Sequence, residues 1–332
     1  MSATTPGTAR AARTHLPARH WSRIGEATCV WGVWCLYAIH RLFGRGAFRA
    51  VLYPVVTYYW LAHGAARRAS LDYLRRVHCV IAAAGGADAE PGARQTLRHL
   101  YAFADTLLDK LLAIGGRYAF GNVTREGVEV MLRQIESGQG GIIVTAHMGC
   151  LELCRVLARH RRGLRLTVLV HTAHAQRFNR ILSRIDPGAT LQLYQVDDIS
   201  PATAEELADK VHAGEFVAIA GDRAPAHGGR AVSVPFLGAP ARFPVGPYVL
   251  AALLDCPLFA LGCIRHGNGH LLRFTELART VRLPRAGRAE ALAGYARAYA
   301  DWLAGLLVLS PYDWFNFYDF WADPDASAGR AR

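Results

Sequence analysis

The chain has 332 residues, 52% of them apolar and 19% charged, a balance that excludes disordered and fibrous classes and is enough to bury a large core. Its formal net charge of +12 points to an acidic partner, although 36 of the 38 basic residues are Arg. The excess is local: residues 1–76 hold eleven Arg against Glu26 and Asp72, which places +9 of the +12 there and leaves the other 256 residues nearly balanced.

Residues 1–20 read as a flexible basic tail and residues 322–332 as a second tail. Between residues 21 and 76 the basic segment is also strongly apolar and aromatic. Thr28–Ile39 (TCVWGVWCLYAI) and Ala50–Ala62 (AVLYPVVTYYWLA) are apolar runs of twelve and thirteen residues, separated by HRLFGRGAFR. Each is shorter than the ~20 residues of a spanning helix. Arg, Trp and Tyr around short apolar helices fit elements lying in an anionic membrane interface, for instance as a re-entrant hairpin. A pair of buried core helices has the same pattern, and periodicity does not separate the two. A secretory signal is not expected, because no small-residue cleavage site follows and the runs are rich in Trp and Tyr. No nucleic-acid partner is expected either, since the aromatics sit in apolar runs and no recognition motif is present. Seven cysteines, an odd number with no CxxC pair, read as buried thiols of a reducing compartment.

Residues 77–321 are expected to form an α/β domain. Arg125–Ser137 has helical spacing, Gly138–Gly141 breaks it, and Ile142–Thr145 is a β-branched strand. A turn at His147–Gly149 leads into a helix over Cys150–His160. Then come a strand over Arg165–Val170, a helix over Ala175–Ile185, a strand over Thr190–Val196, a helix over Pro201–Ala213 and a strand over Glu215–Gly221, ending at Asp222. Such alternation predicts a mainly parallel sheet covered on both faces, whose functional groups gather beyond the carboxyl ends of the strands. His147 and Asp222 both lie there. Arg288–Leu309 is expected to be a helix covering the sheet, and the aromatic PYDWFNFYDFW, Pro311–Trp321, to pack against the body or lipid headgroups.

The stretch GGIIVTAHMGCLEL, Gly140–Leu153, concentrates the chemistry. If the helix starts near Gly149, His147 stands just before it and Glu152 lies in its first turn. There the carboxylate would fix one ring nitrogen and raise the basicity of the other, as a base and its orienter do. Gly149 would allow close approach of a substrate, and the helix-start amides would hold an oxyanion. A capping histidine beside a solvated glutamate has the same spacing, so spacing alone leaves both readings open.

Gly127, GGIIVTAHMGCLEL, AGDR at Ala220–Arg223, SVPFLGAPARFPVGPYVLA and the closing PYDWFNFYDFW together resemble the lysophospholipid acyltransferase superfamily over about residues 20–321. Within it they are similar to the bacterial lipid A late acyltransferases and, more closely, to the acyltransferases of aryl polyene and xanthomonadin-type pigment pathways. The resemblance implies a glycerolipid acyltransferase-like fold and an HxxxxE motif made by His147 and Glu152. Cys150 and Leu151 stand where the lipid A branch commonly has Asn and Trp. It further implies acyl transfer without a covalent intermediate or cofactor, from an acyl carrier protein thioester to a hydroxyl of a membrane lipid or glycolipid. The place implied is the cytoplasmic face of the bacterial inner membrane. Arg177 and Asn179 sit where related enzymes bind acceptor or phosphate, and an Arg fork suits phosphate, though an exposed helix Arg is the equal alternative. Asp222 and Arg223 match a site position, and Phe236, Gly238 and Arg242 a segment lining the acyl or acceptor cleft; a hairpin packing Phe236 into the core fits equally.

Rival chemistry has less support. His147, His171, His174, Glu152 and Asp222 are possible metal ligands, but there is no HExxH or Cys pair, and no metal is expected. A serine hydrolase lacks its GxSxG elbow. A thioesterase-like use of the same dyad and a non-catalytic membrane-docking partner remain as alternatives.

Overall fold

A computed structural model describes residues 30–86, 89–118, 122–154, 165–170, 192–195, 201–224 and 230–322. Seven strands form one sheet in the order β1-β9-β8-β2-β5-β3-β4. They are β1 Val123–Glu126, β2 Gly141–Thr145, β3 Arg165–Val170, β4 Gln192–Gln195, β5 Glu215–Ala220, β8 Leu258–His266 and β9 Gly269–Ala278. Strands β8, β2, β5, β3 and β4 run parallel. β9 returns antiparallel to β8, and β1 runs alongside β9. The centre falls to β2 because its GIIV run is apolar at every position, as a strand buried on both faces requires; Ile142, Ile143 and Val144 are all buried. A separate hairpin pairs β6, Ala231–Phe236, with β7, Ala239–Pro244. Its two-residue turn, Leu237 (φ 49°) and Gly238 (φ 82°), has the positive φ pair of a type I′ turn.

Helices α4 Val128–Glu136, α5 Pro201–His212, α6 Gly246–Leu253 and α7 Arg288–Leu309 belong to this body. Along α7, Leu292, Ala296, Tyr299, Leu303 and Leu307 recur at helical spacing and are buried, the apolar stripe of a helix covering a sheet. Arg125 and Glu126, expected in a helix, instead belong to β1. Gly127 (φ 73°) ends that strand, and a Cβ there would lie 1.8 Å from the Phe274 carbonyl oxygen, so only glycine fits and α4 starts one residue later. The expected helix Ala175–Ile185 lies outside the described residues, and of Cys150–His160 only Leu151–Cys154 is described as helical.

In the N-terminal region, α1 Val30–Ala62 consists of two helical segments that meet at a kink at Gly44 (φ 79°, ψ −176°), one for each of the two apolar runs. α2, Gly64–Ala83, continues without a break past residue 76, and α3 spans Ala93–Ile114. Phe48, Leu52 and Val56, one turn apart on α1, bury against Leu100, Leu108 and Leu112 of α3. Arg45 and Arg49 between them reach Asp105 and Asp109 of α3 at 2.7–3.0 Å, and Arg265 of β8 reaches Asp105 at 2.9 Å. The other face of α1 leaves Leu42, Phe43 and Tyr58 more than two-thirds exposed. Among the described residues, no helix is long and apolar enough to cross a membrane.

Candidate active site

β2 and β5 are parallel neighbours whose last paired residues are Thr145 and Ala220. Two residues beyond each stand His147 and Asp222, so the register alone brings the two side chains out together. Gly221 donates its amide to the Thr145 carbonyl (2.9 Å) and keeps the two chains in step past the ladder. The His147 Nδ1 to Asp222 Oδ1 distance is 2.8 Å. The second oxygen, Oδ2, accepts three hydrogen bonds: from the His147 amide at 2.9 Å, Trp314 Nε1 at 2.9 Å and Asn316 Nδ2 at 2.8 Å.

Asp222 is fully buried. Burial alone would raise its pKa, but the His147 imidazole and then the Arg223 guanidinium override that and hold it well below the usual carboxylate range. Burial, with help from Arg223 and Lys110, pushes the His147 imidazole below its ordinary 6.5 despite the attraction of Asp222. Asp222 is therefore ionised and His147 neutral near pH 7. A carboxylate on Nδ1 holds the proton on that nitrogen, leaving the Nε2 lone pair to act as a base. The side chain keeps 36% of its surface open.

Glu152, expected to orient the imidazole, is engaged elsewhere. Its Oε1 lies 3.2 Å from Lys110 Nζ on α3, with both side chains largely buried. Burial alone would depress the ammonium, but Glu152 outweighs it and raises the Lys110 pKa. The motif carboxylate thus holds a lysine, and the imidazole takes the carboxylate from the neighbouring strand.

Gly149 also departs from expectation. At φ 39°, a Cβ there would lie 1.7 Å from the Cys263 carbonyl oxygen of β8, so its bareness accommodates the sheet, not a substrate. Two amides at the helix start, where an oxyanion was expected, have protein acceptors: Gly149 donates to the Asp313 carbonyl at 2.8 Å and Cys150 to that of Cys263 at 3.3 Å. Arg223 directs its guanidinium at the closing segment, with Nε donating to Asn316 Oδ1 at 2.8 Å and Nη2 to the Phe315 carbonyl at 3.3 Å. Phe236 is buried against Trp314, ring centroids 5.7 Å apart, as the hairpin-packing alternative describes. Gly238 makes the hairpin turn, and Arg242 lies mid-strand in β7 opposite Ser233. Arg177 and Asn179 lie outside the described residues, as do His171 and His174. Among the described residues, no three His, Cys, Asp or Glu side chains gather as a metal site would require.

Three residues of the site were not singled out from the sequence: Lys110, Trp314 and Asn316. The aromatic density of PYDWFNFYDFW marked the last two only as packing material. The segment lies along the turn at His147–Gly149, with Phe315 donating its amide to the His147 carbonyl at 2.8 Å and a β-bridge joining Met148 to Trp314.

Residues 117–321, more than half of the chain, match the bacterial lipid A biosynthesis acyltransferase family. No curated protein is detectably similar to the chain. The chain belongs to the lipid A biosynthesis acyltransferase family and is an acyltransferase whose acceptor is a lipid.

Proposed function

We propose that this acyltransferase moves an acyl group from an acyl carrier protein thioester to a hydroxyl of a membrane lipid or lipid-like acceptor, using His147 as general base and Asp222 as its orienter. The observation that carries the reading is the His147–Asp222 pair at the adjoining ends of β2 and β5, with Nδ1 tied to a buried carboxylate. His147 Nε2 takes the proton of the acceptor hydroxyl as its oxygen attacks the thioester carbonyl. The tetrahedral intermediate collapses by breaking the carbon–sulfur bond, and the leaving thiolate recovers the proton from the imidazolium. A positioned base of this kind contributes roughly 10²–10⁴-fold. Glu152 acts through Lys110, whose fixed positive charge helps keep the imidazole neutral.

An apolar cleft of about 230 Å³ between α1 and α3, lined by Leu52, Val56, Phe103, Leu108 and Phe317, offers the donor chain a place out of water. The exposed Leu42, Phe43 and Tyr58 of α1, within the basic N-terminal region, support a seat in the anionic cytoplasmic face of the bacterial inner membrane, where Arg177 and Asn179 would meet the acceptor headgroup. An acyl carrier's acidic surface suits the same basic region. The acyl group is read as fatty or aryl polyene, following the resemblance to pigment-pathway enzymes, with Cys150 and Leu151 marking the departure from the lipid A branch.

The test is to incubate the purified protein with dodecanoyl–acyl carrier protein and vesicles of total bacterial lipid, and to follow the products by mass spectrometry. A new acyl ester in the lipid fraction is expected. Release of dodecanoic acid alone would replace the reading with a thioesterase, and no reaction with either this donor or an aryl polyene thioester would leave a docking protein.

A further inference from the structure

The carboxylate behind His147 is held from a third direction, by the end of the chain. Oδ2 of Asp222 takes hydrogen bonds from both Trp314 Nε1 and Asn316 Nδ2, and each donor is itself fixed. Asn316 is set by Arg223, whose Nε donates to the amide oxygen, so the NH2 group must face Asp222. Trp314 is fully buried, packed between Tyr73 at 4.9 Å and Phe236 at 5.7 Å. Its carbonyl accepts from His99 Nε2 at 2.7 Å, and the Ser70 hydroxyl lies 2.9 Å from His99 Nδ1. His99 is fully buried, and burial brings its pKa down to about 4, so it is neutral, donates through Nε2 and accepts from the serine. Helices α2 and α3 thereby fasten the closing segment at the residue that touches Asp222.

We propose that Trp314 and Asn316 are positioning residues of the acyl-transfer site: they saturate Oδ2 of Asp222, leaving Oδ1 alone to orient His147, and the Ser70–His99 clamp holds them in place. Packing alone would require neither an indole N–H nor a carboxamide on one carboxylate oxygen. Buried charge-assisted hydrogen bonds are among the stronger ones a protein makes. They also set how much negative charge Asp222 presents to the imidazolium.

The inference rests on His147 being the base with Asp222 behind it, and a substrate-free readout keeps the two claims separable. In protein labelled with ¹⁵N-histidine, the His147 ring nitrogens are titrated by NMR. Besides Asp222, the charged groups acting on the imidazole are Arg223, at the end of β5, and Lys110, on α3; Glu152, also charged, pairs with Lys110, and all four are unchanged in the variants. Removing one donor, in Trp314→Phe or Asn316→Leu, concentrates charge on Asp222 and should raise the His147 midpoint by roughly half a unit or more. With dodecanoyl–acyl carrier protein and lipid vesicles, kcat should fall roughly tenfold with KM little changed. Tyr73→Leu, which loosens packing on the indole without removing a donor, should leave the titration at its wild-type midpoint. In an Asp222→Asn background, Trp314→Phe should cost almost nothing further in kcat, because its target carboxylate is gone.

Wild-type titration and kcat in both donor variants would overturn the inference, as would Tyr73→Leu shifting the midpoint as far as Trp314→Phe. Full transfer by His147→Ala would instead overturn the reading on which it rests.

Discussion

Replacing Asp222 by Asn changes one atom and should nearly stop the enzyme. Three donors converge on Oδ2: the His147 amide, the Trp314 indole and the Asn316 carboxamide, all at 2.8–2.9 Å. An asparagine has one oxygen, and turning its NH2 toward three donors would leave four buried hydrogen-bond groups without acceptors, each costing about 1–3 kcal/mol. The amide oxygen therefore takes the Oδ2 place and the NH2 faces His147 Nδ1. That nitrogen must then accept, which moves the imidazole proton to Nε2, where the base is needed. The wrong tautomer and the lost carboxylate charge together should cost roughly 10³–10⁴-fold in kcat, the scale known for the equivalent change in serine protease triads, with KM changing much less. Thiol release from dodecanoyl–acyl carrier protein in the presence of lipid vesicles measures it, with circular dichroism to verify the fold. Loss of less than about tenfold, in a folded variant, would refute the assignment of Asp222 as orienter.

Glu152→Gln breaks a largely buried pair with Lys110 and should lower stability by about 1–3 kcal/mol in urea unfolding while costing far less rate than Asp222→Asn; the opposite ranking would restore Glu152 as the partner of the imidazole. Because His147 must be neutral to act and its pKa lies below 6.5, kcat/KM should hold its plateau below pH 6.5 and fall only under the lowered value, with activity already half lost at pH 6.5 as the contrary result. His99 is depressed to about 4, so the unfolded chain binds its proton first. Its contribution to stability is complete above pH 6.5 and should be lost as pH falls to 4, by about 3 kcal/mol in all. Urea titrations of the wild type and His99→Gln at both pH values should differ by that amount, and identical pH slopes would contradict it.

The parts of the site set by local pattern were legible in the sequence. The β-branched run Ile142–Thr145 marks a strand, and the alternation that follows puts His147 and Asp222 at strand ends. Their partnership was not legible, because it depends on β2 and β5 being adjacent and in a register that matches Thr145 with Ala220. The resemblance to an HxxxxE motif favours Glu152, which the fold turns toward α3, where Lys110 waits 42 residues earlier in the chain. Trp314 and Asn316 were read as packing for the same reason: the carboxylate they serve lies more than 90 residues away. Gly149 reads from the sequence as a point of close approach by a substrate, whereas what approaches it in the fold is the Cys263 carbonyl. In the N-terminal region, HRLFGRGAFR reads as a polar interruption between two apolar runs. Its Arg45 and Arg49 instead face buried aspartates of α3, a long-range pairing that the pattern of apolar runs does not reveal.

The central claim is that His147 drives acyl transfer to a membrane hydroxyl compound. Mass spectrometry of lipids from cells carrying the wild-type chain or His147→Ala tests it most directly. The account predicts an acyl-lipid species present with the wild type and absent with the variant at equal protein level; the same species at the same abundance in both would contradict it.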